Sequence, residues 1–240
     1  MKNSKFKRWL MTWKQRLLKF IVYFFVISIL SVIIFRWLPI PFTLTMVNST
    51  FEQMFSGNWP VWKKDWVSYD KISRHMPVAV VCAEDQKFLD HEGFDFEAIN
   101  KAIKYNEKMK ARNKERRKGA STISQQTAKN VFLWQGRSWL RKGLEVYFTF
   151  LIEIFWSKKR IMEVYLNVIE FGNGIYGVEA ASKQFFKTSA SKLSREQAAL
   201  LAVCLPNPHI FKVNRPSIYV KKRQNWAMRQ MAAFGKLEYE

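Results

Sequence analysis

Cysteine, histidine and acidic side chains are all scarce in this chain. It has two cysteines and three histidines in 240 residues. His75, His91 and His209 are scattered, so they do not read as zinc ligands, whose spacing is tight. Cys82 and Cys204 sit singly in the apolar runs VAVVCA and LLAVCLP and read as small buried thiols. A disulfide stays open outside the cytoplasm, because sequence does not give its geometry. No strand pattern of any length appears, and no internal repeat, which argues against a β-rich or solenoid architecture. Acid is the scarcer sign of charge, with 19 Asp and Glu against 40 Lys and Arg.

The resulting formal charge of +21 calls for an anionic partner: nucleic acid, anionic lipid or a phosphorylated substrate. Residues 1–19 hold seven Lys and Arg and no acid. Without them, 33 basic residues still face 19 acidic ones, so the body is basic in its own right. Apolar residues make up 48%, enough for a core, which excludes global disorder. The length suits one domain plus a short extra segment.

The run Phe20–Phe35 carries no charge. With its apolar flanks it reaches about 20 residues, the length a bilayer core requires. It is too long for the apolar part of a signal peptide, and no small-residue cleavage site follows. The expectation is a basic tail over 1–19, a transmembrane helix over 20–38 and a connector over 39–64, with a folded domain over 65–240. Basic residues before the span keep the N-terminus cytoplasmic and put the domain outside. The connector holds a short helix near Thr45–Phe55. Helices are expected over Met76–Phe88, 96–111, 121–130, Trp139–Trp156, Lys158–Glu170, Val178–Phe186, Ser194–Leu205 and Ser217–Phe234. Ser194 with Gln197 fits a capping box, and Ser121 or Thr122 is the candidate cap of its helix. The segment Arg112–Gly119, without an apolar residue, reads as a loop.

Four clusters carry chemistry. In EDQKFLDHEGFD, the apolar run Val78–Ala83 delivers Glu84 and Asp85 side by side. Burial raises a carboxylate's pKa into the range useful for proton transfer, and a continuing helix puts Phe88 on the face of Glu84. Taken alone, such a pair is more often a solvated helix end. In GASTISQQTAKN, a Gly-led turn opens a hydroxyl-rich helix start, with Ser121, Gln125 and Lys129 at four-residue spacing, a pattern suited to phosphate or sugar. Taken alone, it is more often a capped polar helix. In RSWLRKGLE, Arg137, Arg141, Lys142 and Glu145 form an ion-pairing group, which is bland if exposed. The apolar continuation YFTFLIEIFW implies burial. In KKRIMEVYLNVIEFGNGIYGVEAAS, a helix runs into a glycine-rich loop that permits close backbone approach.

In this order, the four clusters resemble the peptidoglycan glycosyltransferase family, found in class A penicillin-binding proteins and in monofunctional biosynthetic transglycosylases. The resemblance covers about residues 65–215. Thr127, Met162 and the spelling Val168-Ile169-Glu170 depart mildly from its motifs. It implies a mainly α, lysozyme-like domain with a small membrane-abutting subdomain, to which 101–118 and Val131–Trp134 would contribute. It also implies polymerisation of lipid II, with the growing lipid-linked glycan as donor and undecaprenyl pyrophosphate released, at the inner (plasma) membrane of a bacterium.

By the match, Glu84 is the base and Glu145 the second carboxylate, which assists the departing pyrophosphate through a bound cation or by orienting nearby Arg and Lys. Ser121, Gln125, Gln126, Lys129, Asn130, Arg137, Arg141 and Lys142 match substrate-contacting positions. No all-protein metal cage is visible, and the resemblance leaves room for a divalent cation such as Mg or Mn. The implied partners are lipid II, the bilayer and other cell-wall synthesis or division proteins. No nucleic acid is expected, since base-contacting motifs are absent. Ser189-Ala190-Ser191-Lys192 matches Ser-x-x-Lys of transpeptidases. No Lys-Thr-Gly occurs, however, and about 48 residues follow it, so a monofunctional enzyme is expected. The rival reading is a lysozyme-like hydrolase or lytic transglycosylase that cuts glycan, which needs no pyrophosphate site.

Overall fold

The computed structural model describes residues 2–57, 59–115, 118–136 and 138–239, with the backbone alone for 2–12. It divides into two units, Met1–Leu38 and Pro39–Glu240. The first is one helix, α1 (Lys2–Phe35), so the basic tail continues the helix rather than preceding it. Its stretch Trp13–Phe35 is the one helix among the described residues long and apolar enough to cross a membrane. Leu17, Leu18, Phe20, Ile27 and Leu30 are exposed along it. Ser28 and Ser31 donate their hydroxyls to the carbonyls of Phe25 and Ser28, which removes two polar groups from an apolar surface.

The second unit is mainly helical: α2 (Leu44–Phe55), α3 (His75–Glu84), α4 (Phe96–Ala111), α5 (Ile123–Phe132), α6 (Trp139–Phe155), α7 (Lys158–Val168), α8 (Val178–Phe186), α9 (Arg195–Cys204) and α10 (Ile218–Phe234). One layer packs α3 against α9 and α10, and another packs α5 against α6 and α7. Within residues 39–64, α2 packs on α5, and Lys64 donates to the carbonyls of Ile40 and Pro41.

α3 forms although it holds three valines and a proline. Pro77 falls in the first turn, where no amide donor is needed, and burial of Met76 through Cys82 outweighs the weak helix propensity of Val. The capping boxes at Thr122–Gln125 and Ser194–Gln197 both form. The cysteines are free, and burial pushes Cys82 up to about 11 and Cys204 up to about 12. Both thiols are therefore unreactive core side chains.

The structure corrects two expectations. A small sheet exists, made of β1 (Lys63–Lys64), β2 (Glu170–Gly172) and β3 (Ile175–Tyr176) in the order β1-β3-β2, with β1–β3 parallel and β2–β3 antiparallel. Strands of two or three residues are too short to show alternation, so no sequence pattern announced them. Their presence ends α7 at Val168 rather than at Glu170. The turn between β2 and β3 needs its glycine: Gly174 has φ +69°, and a Cβ there would lie 1.9 Å from the Val61 carbonyl oxygen.

One side-chain amide makes three of the bonds that hold the lead-in to α3. Asn167, fully buried on α7, accepts from the Val67 amide at 2.8 Å and donates to the Val67 and Glu163 carbonyls, each at 2.8 Å. Asn167→Ala strands these buried groups and is expected to cost about 3 kcal/mol, read as a lowered unfolding temperature in detergent.

Candidate active site

α3 ends at Glu84, and the chain turns out of helix at Asp85 (φ −156°). Phe88 therefore does not stack one turn along from Glu84, as a continuing helix would have it. It is fully buried and lies under the Lys158 ammonium at 4.9 Å. Asp85 fastens this chain end. Its carboxylate accepts from His91 Nε2 at 3.0 and 3.1 Å and from the Ile123 amide at 3.0 Å. The Gly93 amide donates to His91 Nδ1 at 3.1 Å, so the neutral ring carries its proton on Nε2. The Thr122 hydroxyl donates to the Gly93 carbonyl at 2.6 Å. Gly93 (φ +88°) has no room for a side chain, since a Cβ would meet Thr149 at 2.8 Å. These bonds join the end of α3 to the start of α5.

That junction places α5 beside Glu84. Gln126 Nε2 donates to Glu84 Oε2 at 2.8 Å. Both side chains line a cleft of about 840 Å³, together with Lys118, Ser121, Lys129, Asn130, Arg141 and, from the C-terminal region, Arg223. Lys118 is pinned to α4: Asn106 accepts from its amide at 2.7 Å and donates to its carbonyl at 3.0 Å.

Burial pushes the Glu84 carboxyl up, against the Gln126 hydrogen bond and the nearby Arg223 and Lys129 charges, which lower it. Its position at a helix C-terminus, where the backbone dipole is negative, also disfavours the anion. Burial pushes Lys129 down, while the charge of Glu145 holds it up. Glu145 is buried under two cations, Arg141 at 2.9 Å and Lys142 at 2.5 Å. A divalent cation does not fit this carboxylate, whose two oxygens are already taken by cations. Among the described residues, no three His, Cys, Asp or Glu side chains converge on a metal position. Among the described residues that line the cleft, Asn130 Nδ2 and Arg141 Nε are buried donors without a protein acceptor.

Of the candidates read from sequence, Glu84, Ser121, Gln126, Lys129, Asn130 and Arg141 line the cleft. Ser121 precedes the cap and is not on the helix face with Lys129. Gln125 turns back to accept from the Thr122 amide at 3.1 Å and is not among the cleft residues. Glu145 and Lys142 stand behind Arg141. Arg137 lies outside the described residues. Sequence reasoning missed four residues of the later chain that also line the cleft: Glu170, His209, Tyr219 and Arg223. His209 pairs with Glu170 at 3.4 Å.

A family model described as Transglycosylase matches residues 53–232. The chain belongs to the transglycosylase family. Many proteins resemble it along most of its length. One from Bacteroides thetaiotaomicron is 56% identical over 211 residues, covering 88% of this chain and 83% of the relative. One from Haemophilus influenzae is 54% identical over 224 residues, covering 93% and 89%. One from Mannheimia succiniciproducens is 51% identical over 225 residues, covering 93% and 90%. All three carry the name biosynthetic peptidoglycan transglycosylase. The domain of this family is lysozyme-like, in keeping with the helical architecture above.

The raised Glu84 carboxyl has a stability consequence. A carboxyl whose folded pKa lies above its unfolded value of about 4.5 binds its proton more tightly in the folded state. It therefore costs stability as pH rises through and above that window. Glu84→Gln is expected to raise the unfolding temperature at neutral pH. Thermal scans should show the gain shrinking to nothing below about pH 4.

Proposed function

We propose that this chain polymerises lipid II into glycan strands for cell-wall synthesis. The observation that carries the reading is a half-buried carboxylate, Glu84, in one cleft with Lys129, Arg141 and two donors that lack a protein acceptor. The first suits removal of a proton, and the others suit a leaving group that gains negative charge.

In this reading, Glu84 takes the proton of the acceptor's 4-hydroxyl as that oxygen attacks the donor's anomeric carbon. The bond from that carbon to the pyrophosphate oxygen breaks, and the pyrophosphate leaves with the electron pair. Lys129, Arg141 and Asn130 stabilise the charge that develops there, with Ser121 and Lys118 at the mouth. Glu145 acts by orienting Arg141 and Lys142 and by sustaining the charge of Lys129, not through a metal. Removing it leaves two guanidinium or ammonium groups unanchored. Arg137, by its match, would contribute on the same side. Gln125 serves as a cap and Gln126 as a partner of Glu84. The glycan-cutting alternative finds no support, since no pyrophosphate-like pole is needed for it and the relatives are named biosynthetic.

A substrate that stays in the bilayer needs an enzyme at the bilayer, and α1 supplies the anchor, with the basic N-terminus on the cytoplasmic side. The exposed apolar face of α6 extends that contact: Trp139 (92% exposed), Leu140, Val146, Phe150 and Ile154 project from one side. Of the run 131–134, Val131 and Leu133 are buried, while Trp134, one of the aromatics expected to enter the interface, is exposed. The basic residues of 101–118 would meet anionic headgroups.

Purified enzyme incubated with lipid II is expected to build polymer and to leave finished glycan intact. Glu84→Gln is expected to lower the rate by at least about a hundredfold while binding persists. Glu145→Gln, which unpins Arg141, is expected to lower it about tenfold or more. Degradation of finished glycan, or full activity of Glu84→Gln, would overturn the reading.

A further inference from the structure

We propose that Tyr165 is a positioning residue: its hydroxyl fixes the Gln126 amide so that the N–H end, not the carbonyl end, faces Glu84. The proposal rests on Glu84 being the base.

The two ends of a glutamine amide have nearly the same shape and opposite effects on a carboxylate. An N–H donor stabilises the ionised form. A carbonyl oxygen repels it and favours the protonated acid. Which end faces Glu84 is therefore chemically decisive and sterically almost free. In the structure, Nε2 donates to Glu84 Oε2 at 2.8 Å, and Oε1 faces the Tyr165 hydroxyl at 3.4 Å. Tyr165 is fully buried on α7, and its ring is held by the core. Burial first, and the charges of Glu84 and Asp85 second, keep the phenol well above its ordinary range, so it always has a proton to donate. Gln126 Oε1 is the acceptor the structure offers that proton. Turning the amide over would strand the phenol proton and set an oxygen against the carboxylate.

The other groups around Glu84 do not select the amide's orientation. Lys129 from α5 and Arg223 from α10 lower its proton affinity, and the neighbouring Asp85 raises it. α9 presents the apolar Val203 to the cleft. The contact between α5 and α7 thus does more than close the core. It sets the face that α5 turns towards the end of α3.

The test is the pH dependence of polymerisation by full-length enzyme in lipid vesicles containing lipid II. A base must be ionised, so the acidic limb of the rate profile reports Glu84. Tyr165→Phe removes one oxygen from a buried ring. It is expected to move the midpoint of that limb upward by about half a pH unit or more, with KM little changed. Gln126→Met is expected to move it the same way, and adding Tyr165→Phe to Gln126→Met to move it no further. A Tyr165→Phe limb that superimposes on the wild type, whatever the rate, overturns the proposal, as do additive shifts in the double variant. Should Tyr165→Phe fail to fold, an unshifted limb in Gln126→Met overturns it alone. The controls separate the failures: an active Glu84→Gln sinks the base reading itself, whereas an inactive Glu84→Gln with an unshifted Tyr165→Phe limb sinks only the role of Tyr165.

Discussion

Asp85 accepting from two donors, the His91 Nε2–H shared by both its oxygens and the Ile123 amide, is the interaction on which the site depends. It closes the end of α3, grips His91 and takes the first amide of α5. A carboxylate at a helix N-terminus is favourable, because it meets unsatisfied N–H groups and a positive dipole end. Its neighbour Glu84 sits at the opposite kind of place, a helix C-terminus, where a negative group is disfavoured. Two adjacent acids are thereby given opposite environments. Asp85 holds structure by its hydrogen bonds to His91 and the Ile123 amide, and Glu84 is left with a raised proton affinity over a cleft.

The cleft extends this logic by alternating its charges. Glu84 has Lys129 and Arg223 as charged neighbours, and behind the lining Glu145 has Lys129, Arg141 and Lys142. Each buried charge has an opposite neighbour, which keeps the desolvation cost tolerable. The balance is nevertheless cationic, and Arg141 and Asn130 keep donors free. Such a site gains most from a ligand that brings negative charge of its own.

Much of this was legible in the residues. Ser194 with Gln197 announced a capping box that formed. The apolar run before Glu84 announced a buried helix, though not that it stops at Glu84. The ordered clusters announced the family and, with it, a helical lysozyme-like domain. What stayed hidden depended on contacts across the chain. Gln125 and Gln126 are neighbours of identical composition, yet one caps its own helix and the other faces Glu84. Glu170 looked helical until β3 took it as a strand partner.

By itself, the sequence determined that the chain is mainly helical, that it carries a long apolar run near its N-terminus and which family it belongs to. Those properties follow from local periodicity and from motifs read in order. Tertiary structure alone decided that α10 contributes Arg223 to the cleft, that Glu145 is buried under Arg141 and Lys142, and that Tyr165 reaches Gln126 from 39 residues away. Burial, charge neighbours and hydrogen-bond partners belong to the packed arrangement of helices, and no stretch of sequence carries them.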